Sequence, residues 1–228
     1  MRTWTLDGKT VQVFPSKTPG RPLVLVNTFA EAVAPLCTAL TDAPDHTLVT
    51  VTGMNWEDDL SPWPAAALGR QSSAFAGHAA EYLYWMEKEL LPMVEAELMV
   101  EAELMAPPCW RGLAGYSLAG LFAVYALYRS TAFERVASMS GSLWFEDFCD
   151  FALQEELAQR PQCVYFSLGD REKKTRHPLM RQVEENSLAV AERFRELGVD
   201  TQFRLESGGH FQDAAGRTAR GITWLLER

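Results

Sequence analysis

Gly115-Tyr116-Ser117-Leu118-Ala119-Gly120 stands between two stretches of different character. Ahead of it, Trp110 to Tyr116 reads as a short buried strand. Behind it, Leu118 to about Tyr128 is an apolar run long enough for a helix. A strand that passes into a helix through a single residue needs a sharp turn, and small neighbours let the two backbones approach closely. Such a turn lifts the serine hydroxyl above the carboxyl edge of a sheet. The pattern is close to Gly-x-Ser-x-Gly, with Ala119 in the place of the last glycine and Gly120 one residue later. Taken alone, the hexapeptide serves equally well as a tight structural turn.

The surroundings repeat the same alternation. Upstream, Leu23-Val24-Leu25-Val26 is a continuous apolar run of the kind buried on both faces of a parallel sheet. A helix is expected from about Ala30 to Leu40, then a strand at Leu48 to Val51 and a long polar loop from Met54 to Phe75. The chain opens with a hairpin, Thr3 to Leu6 and Thr10 to Phe14 around Asp7-Gly8-Lys9. Downstream come a strand at Val136 to Met139, a helix from Asp147 to Gln159 and a strand from Cys163 to Leu168. A helix from Pro178 to Leu197 follows, punctuated by Gly198. A last strand, Thr201 to Leu205, and a last helix, Asp213 to Glu227, complete the series. An opening hairpin followed by strand–helix repeats predicts an α/β fold in one domain, residues 1–228, with a mostly parallel sheet and helices on both faces.

One segment departs from the rhythm. From about Gly77 to Met105 the spacing is helical, and Pro92 inside it predicts a kink or two helices. The hexamer Val94-Glu95-Ala96-Glu97-Leu98-Met99 is repeated at once as Val100 to Met105. Six residues turn a helix by about 600°, so the copies face different ways. The repeat reads as a local duplication that lengthens a helix end, with a partner-binding stripe as the alternative.

Composition narrows the partners. With 228 residues, 47% hydrophobic and 22% charged, the chain belongs among globular proteins rather than disordered or fibrous ones. Thirty acidic against 21 basic side chains give a net charge of −9, and no Lys/Arg run exists, which argues against nucleic acid and against an anionic membrane surface. Cys37, Cys109, Cys149 and Cys163 are far apart and form no Cys-x-x-Cys pair, so neither a metal site nor a disulfide framework is expected. The N-terminus lacks the apolar core of a signal peptide, and no run of about 18 apolar residues could span a membrane. A cytoplasmic location is the expectation.

A serine nucleophile needs a base, and two histidines follow Ser117. His177 precedes Pro178 at a helix start, where a capping or solvated role fits. His210 follows Gly208-Gly209 just past the last strand, on the sheet edge expected to carry Ser117; a structural histidine is the alternative. The acid should lie after the preceding strand, in Gly169-Asp170-Arg171-Glu172-Lys173-Lys174. Asp170 and Glu172 both qualify by position, unless both are ordinary loop charges balanced by the neighbouring cations. The loop Asn55 to Trp63 follows a central strand and should overlook the serine. Its tryptophans either wall a pocket or pack against the helix beginning near Gly77, and Trp144 has the same two readings. Trp56 and Trp144 are the pocket candidates.

Gly115 to Phe122 (GYSLAGLF), Ser138 to Trp144 (SMSGSLW), Ser167 to Lys174 (SLGDREKK) and Ser207 to Phe211 (SGGHF) resemble the esterase D-type family of α/β hydrolases, on its enterobactin-esterase-like branch. The resemblance runs from about Leu23 to the C-terminus. It implies an α/β-hydrolase fold, Ser117 as nucleophile, His210 as general base and Glu172 as acid, with Asp170 the runner-up. It further implies an oxyanion hole built from the backbone N–H of Leu118 and that of Phe29, with Thr28 the alternative. The expected activity is hydrolysis of a small-molecule carboxylic ester through an acyl-enzyme, without metal or organic cofactor. Cleavage of a siderophore trilactone and acyl transfer would use the same residues. A non-catalytic binding module on the same fold is the alternative from another class.

Overall fold

Asp7 and Gly8 both adopt left-handed backbone conformations, φ 49° and 76°, forming the two-residue turn whose twist suits paired strands. They join β1 (Arg2–Leu6) to β2 (Lys9–Phe14) in antiparallel register from Arg2 opposite Val13 to Leu6 opposite Lys9. The computed structural model describes residues 1–69, 73–101 and 106–228. Six further strands follow: β3 (Leu23–Asn27), β4 (Thr47–Thr52), β5 (Arg111–Tyr116), β6 (Arg135–Met139), β7 (Cys163–Gly169) and β8 (Asp200–Glu206). They lie in the order β1-β2-β4-β3-β5-β6-β7-β8. The β1–β2 and β2–β4 pairs are antiparallel, and from β4 to β8 every pair is parallel. This is the mostly parallel α/β sheet that the alternation predicts, and it agrees with the hydrolase fold that the resemblance implies.

Alternate residues of each strand face opposite layers. Leu23, Leu25, Val49, Val51 and Leu113 enter the larger core with α3 (Ala79–Trp85), α5 (Leu118–Arg129) and α7 (Val183–Glu196). Val24, Val26, Leu48 and Ala114 enter the smaller one with α1 (Ala30–Ala39) and α8 (Ala214–Leu226). β3 lies between β4 and β5, so the strand order reverses there. The carboxyl ends of β3 and β5 therefore open a crevice, the usual ligand position in such sheets.

The segment containing Pro92 resolves as one helical run with a wide turn. After α3 comes a π turn, Met86–Leu90, closed by the Leu91 N–H on the Met86 carbonyl, and then α4 (Leu91–Glu101). Proline has no N–H to give to Lys88, and the irregularity sits directly before it. The first hexamer copy lies in α4, while most of the second lies outside the described residues. The helix expected over 147–159 is shorter, α6 (Phe148–Gln154). Glu155 is extended and the Ala158 N–H bonds to the Leu127 carbonyl at 3.0 Å, so the chain leaves the helix to cross the end of α5. After Pro178, α7 is preceded by a 3₁₀ turn, Met180–Gln182, and closes as the punctuation predicts. Gly198 (φ 72°) bonds back to Arg195 and Val199 to Phe194. No helix among the described residues is long and apolar enough to cross a membrane.

Candidate active site

Ser117 has φ 60° and ψ −124°, a sparsely populated conformation for a residue with a side chain. Its N–H bonds to the Met139 carbonyl at 3.1 Å, and its carbonyl receives the N–H groups of Gly120 and Leu121. A Cβ on Gly115 would collide with the Ala119 carbonyl, so the first glycine of the motif is sterically required. The last position is not, because the Ala119 methyl occupies the room that Gly115 leaves. Glycine is wanted at 120 instead, where a Cβ would lie 2.9 Å from Ser138 Oγ and 3.0 Å from Gly141 Cα. The displaced glycine thus marks where α5 meets β6.

His210 comes from the loop after β8. Its Nε2 lies 3.1 Å from Ser117 Oγ and its Nδ1 lies 2.7 Å from Glu172 Oε2. Asp170 points elsewhere. Its Oδ1 accepts the Gly208 N–H at 2.8 Å, and the Gly208 carbonyl accepts the Arg171 N–H at 3.1 Å. Asp170 therefore fastens the β7 loop to the main chain of the β8 loop, and Glu172 is the carboxylate at the imidazole. Of the two histidines, His177 stays on the link to α7, its N–H on Thr175 Oγ1.

The Glu172 side chain is only 5% exposed. Its Oε1 accepts from the Gly169 N–H at 2.7 Å, from Ser140 Oγ at 2.7 Å and from Arg217 Nη1 at 3.0 Å. Burial opposes its ionisation. The hydrogen bonds from His210, Ser140 and the Gly169 amide outweigh that penalty and hold the carboxyl below its ordinary range. Tyr116 moves the other way, burial pushing its phenol up.

Thr28 spends its N–H on the Val51 carbonyl at 3.0 Å. Among the described residues, the N–H groups of Phe29 and Leu118 have no hydrogen-bond partner; each stands at a helix start, before α1 and first in α5. Beside them opens a cavity of about 780 Å³ whose walls include Phe29, Trp56, Phe75, Trp144 and Met180, with Ser117 and His210 on its lining. Trp56 stacks on Phe29, ring centroids 4.1 Å apart. Trp56 and Trp144 thus fall on the pocket wall. Trp63 packs, but on the segment around α6 rather than on the helix near Gly77, with Nε1 on the Glu146 carbonyl and its ring against Phe145, Phe148 and Phe151. Phe211, 94% exposed, stands edge-on to the His210 ring. A short helix, α2 (Trp56–Asp59), shapes the loop that carries Trp56, and Asp58 ties that loop's ends through the N–H groups of Ala76 and His78.

Sequence reading did not anticipate Ser140, Ser142 or Arg217. Ser142 Oγ lies 3.4 Å from Ser117 Oγ. Arg217 carried a signal. It falls in phase with Gly221, Trp224 and Leu225 on the buried stripe of α8, and a cation in such a stripe demands a buried partner.

The family described as "Putative esterase" matches residues 37–214. The uncharacterized protein YbbA of Bacillus subtilis is 28% identical over 156 residues, 68% of this chain and 61% of its own length, so the match spans less than two thirds of that relative. Siderophore hydrolase EstA from Aspergillus nidulans has the same fold, with a TM-score of 0.80 at 16% identity over 99% of this chain and 94% of its own. Enterochelin esterase from Shigella flexneri superposes with a TM-score of 0.72 at 18% identity, over 99% of this chain and 57% of its own. With well over half of its length matched and a sheet of the α/β-hydrolase kind, the chain belongs to this esterase family.

Proposed function

We propose that this protein hydrolyses carboxylic esters of small molecules through an acyl-enzyme formed on Ser117. The observation that carries the reading is the unbroken path from Ser117 Oγ through His210 to Glu172, at 3.1 and 2.7 Å. Ser117 Oγ attacks the ester carbonyl while His210 Nε2 takes the hydroxyl proton. Glu172 accepts from Nδ1–H, which keeps the other nitrogen free to act as the base. Negative charge appears on the carbonyl oxygen as the tetrahedral intermediate forms, and the N–H groups of Leu118 and Phe29 are the donors for it. Losing one such donor typically costs about 3–4 kcal/mol of transition-state stabilisation. Collapse breaks the C–O bond to the alcohol, which leaves with the proton from His210. Water then attacks the acyl-enzyme by the same route, and the acid departs as Ser117 recovers its proton.

The walls of the cavity suit an apolar acyl or aryl group. A second reading, an anionic polyester of the siderophore kind, is favoured by one observation. The segment 171–181 carries exposed Arg171, Lys173, Lys174, Arg176 and Arg181 beside the cavity, against a net charge of −9 for the whole chain. Four cysteines without disulfide partners accord with a cytoplasmic location.

Fluorophosphonate labelling with peptide mapping tests the nucleophile, beside a p-nitrophenyl ester panel from acetyl to octanoyl and a catecholate trilactone. A stoichiometric adduct on Ser117, lost in His210→Ala, is the expected result. Esterase activity that survives Ser117→Ala overturns the reading. Labelling without turnover of any ester points to the binding module, and faster turnover of the trilactone than of simple esters selects the second substrate class.

A further inference from the structure

Arginine is almost never fully buried unless its charge is paired. The Arg217 side chain is 1% exposed and spends its donors on four groups that surround His210. Nη1 gives to Glu172 Oε1 at 3.0 Å, to Ser140 Oγ at 3.1 Å and to Tyr116 Oη at 3.2 Å, and Nη2 gives to the Ser207 carbonyl at 3.0 Å. A guanidinium has no acceptor, so each hydroxyl that accepts from it must direct its own proton elsewhere. Ser140 gives its proton to Glu172 Oε1 at 2.7 Å, and Tyr116 gives its own to the His210 carbonyl at 2.5 Å. One cation therefore orients the carboxylate, one hydroxyl on that carboxylate and one hydroxyl on the histidine's main chain.

The charges around it close on themselves. Glu172 from the β7 loop and Glu206 from the end of β8 face Arg217, the latter with its Oε2 3.9 Å from Nε. Arg220, one turn along α8, pairs with Glu206 and Asp213 at the edge. Among the described residues, Tyr116 from β5 also meets Arg217, and His210 joins the group through Glu172 and Tyr116. The proton that arrives on His210 during turnover then finds Glu172 as its counter-ion, and that carboxylate is already shared with a cation.

We propose that Arg217 is a positioning residue: it clamps Glu172 through Oε1 so that Oε2 is presented to His210, and its charge tunes how firmly the Glu172–His210 pair holds a proton. The inference rests on the roles given above to Ser117, His210 and Glu172. It also carries a sign. Removing the cation leaves the carboxylate wholly to the imidazole, so the pair should hold its proton more tightly.

The test measures kcat and KM against pH for Arg217→Met, Arg217→Lys, Glu172→Gln and the Arg217→Met/Glu172→Gln double variant, with Ser117→Ala alongside. Arg217→Met should lower kcat by roughly 10–100-fold with little change in KM, the range seen when a group that orients a working side chain is lost. The acid limb of kcat/KM should move to higher pH by about one unit, as expected for loss of a charge in direct contact. Arg217→Lys, which keeps the charge and loses the fork, should fall between. In the Glu172→Gln background, Arg217→Met should have little further effect, since coupled residues do not add. An acid limb that stays in place while the two penalties multiply overturns the proposal and leaves Arg217 a packing residue. If the Met protein does not fold, the Lys protein decides through kcat: it keeps the charge, so its acid limb should stay near that of the wild type, and a wild-type kcat there overturns the proposal equally. An active Ser117→Ala would instead sink the nucleophile assignment, whereas an inactive one beside a wild-type-like Arg217→Met would remove this inference alone.

Discussion

The turn after β5 and the loops after β7 and β8 each deliver one residue to the same sheet edge, by opposite means. The β5 turn takes its shape mainly from its own neighbours, with main-chain bonds to Met139 and Ser142 beside it. Gly115 leaves the room, Ala119 fills it, and the Ser117 carbonyl is closed by N–H groups three and four residues on. The other two loops are held by side chains from elsewhere in the chain, Ser140 after β6, Tyr116 on β5 and Arg217 on α8, and are tied to each other by Asp170 on Gly208. A steric device within six residues tolerates changes around it. A polar cluster assembled from distant segments fails together when one member goes, because its remaining groups stay buried without partners.

That contrast can be broken by experiment. The largest effect should come from the assembled cluster: if the proposed roles hold, Glu172→Gln lowers kcat/KM by about 10⁴-fold, as loss of the orienting carboxylate does in Ser-His-Asp triads. Asp170→Asn in parallel should stay within about tenfold of wild type, since its bond goes to a backbone amide rather than to the imidazole; the reverse ranking in steady-state assays would exchange the two residues' roles. Next comes the steric device. Gly115→Ala should destabilise the fold by about 1–3 kcal/mol through overpacking against the Ala119 carbonyl and slow the labelling of Ser117. Thermal melts and labelling rates report both, and an unchanged melt would show that the turn has slack.

Acid should distinguish the regions as well. The Glu172 carboxyl titrates below its unfolded-state value, so its contribution to stability is complete above that unfolded value and is lost as pH falls through the folded one. The difference in melting temperature between wild type and Glu172→Gln should therefore be widest near neutrality and close in the acid range. A gap that persists to low pH would mean the substitution acts through packing. A smaller effect is expected from Asp170→Asn, about 1 kcal/mol for one weakened hydrogen bond, read from chemical denaturation. Ala119→Gly should have the least effect on activity. It restores the usual motif and should cost about 0.5–1 kcal/mol of helix stability, with kcat/KM unchanged.

Much of this edge is legible in the sequence. Buried strands of four to seven residues, the helix end at Gly198 and the turn at Asp7-Gly8 all leave local marks, because periodicity and backbone conformation are properties of neighbouring residues; the helix expected from Pro178 begins only at Val183. Two differences from the expected elements come from distant contacts. The helix expected to reach Gln159 stops at Gln154 as the chain turns to meet Leu127, and the loop before Phe75 hides a short helix tied by Asp58.

By itself, the sequence determined the α/β alternation, the strand-to-helix turn at Ser117 and the order serine, acidic loop, His210. Each is written in residues that are neighbours along the chain, or in their succession. Tertiary structure alone decided that Glu172 rather than Asp170 meets the imidazole, that Phe29 rather than Thr28 keeps a free amide, and that Trp56 lines the cavity while Trp63 packs. It also brought Arg217 against Glu172, 45 residues away, and His210 against Ser117, 93 residues away. These choices turn on differences of one or two residues within a loop, and on partners supplied by distant strands and helices. Only the packed sheet, by fixing where each strand ends relative to its neighbours, chooses among them.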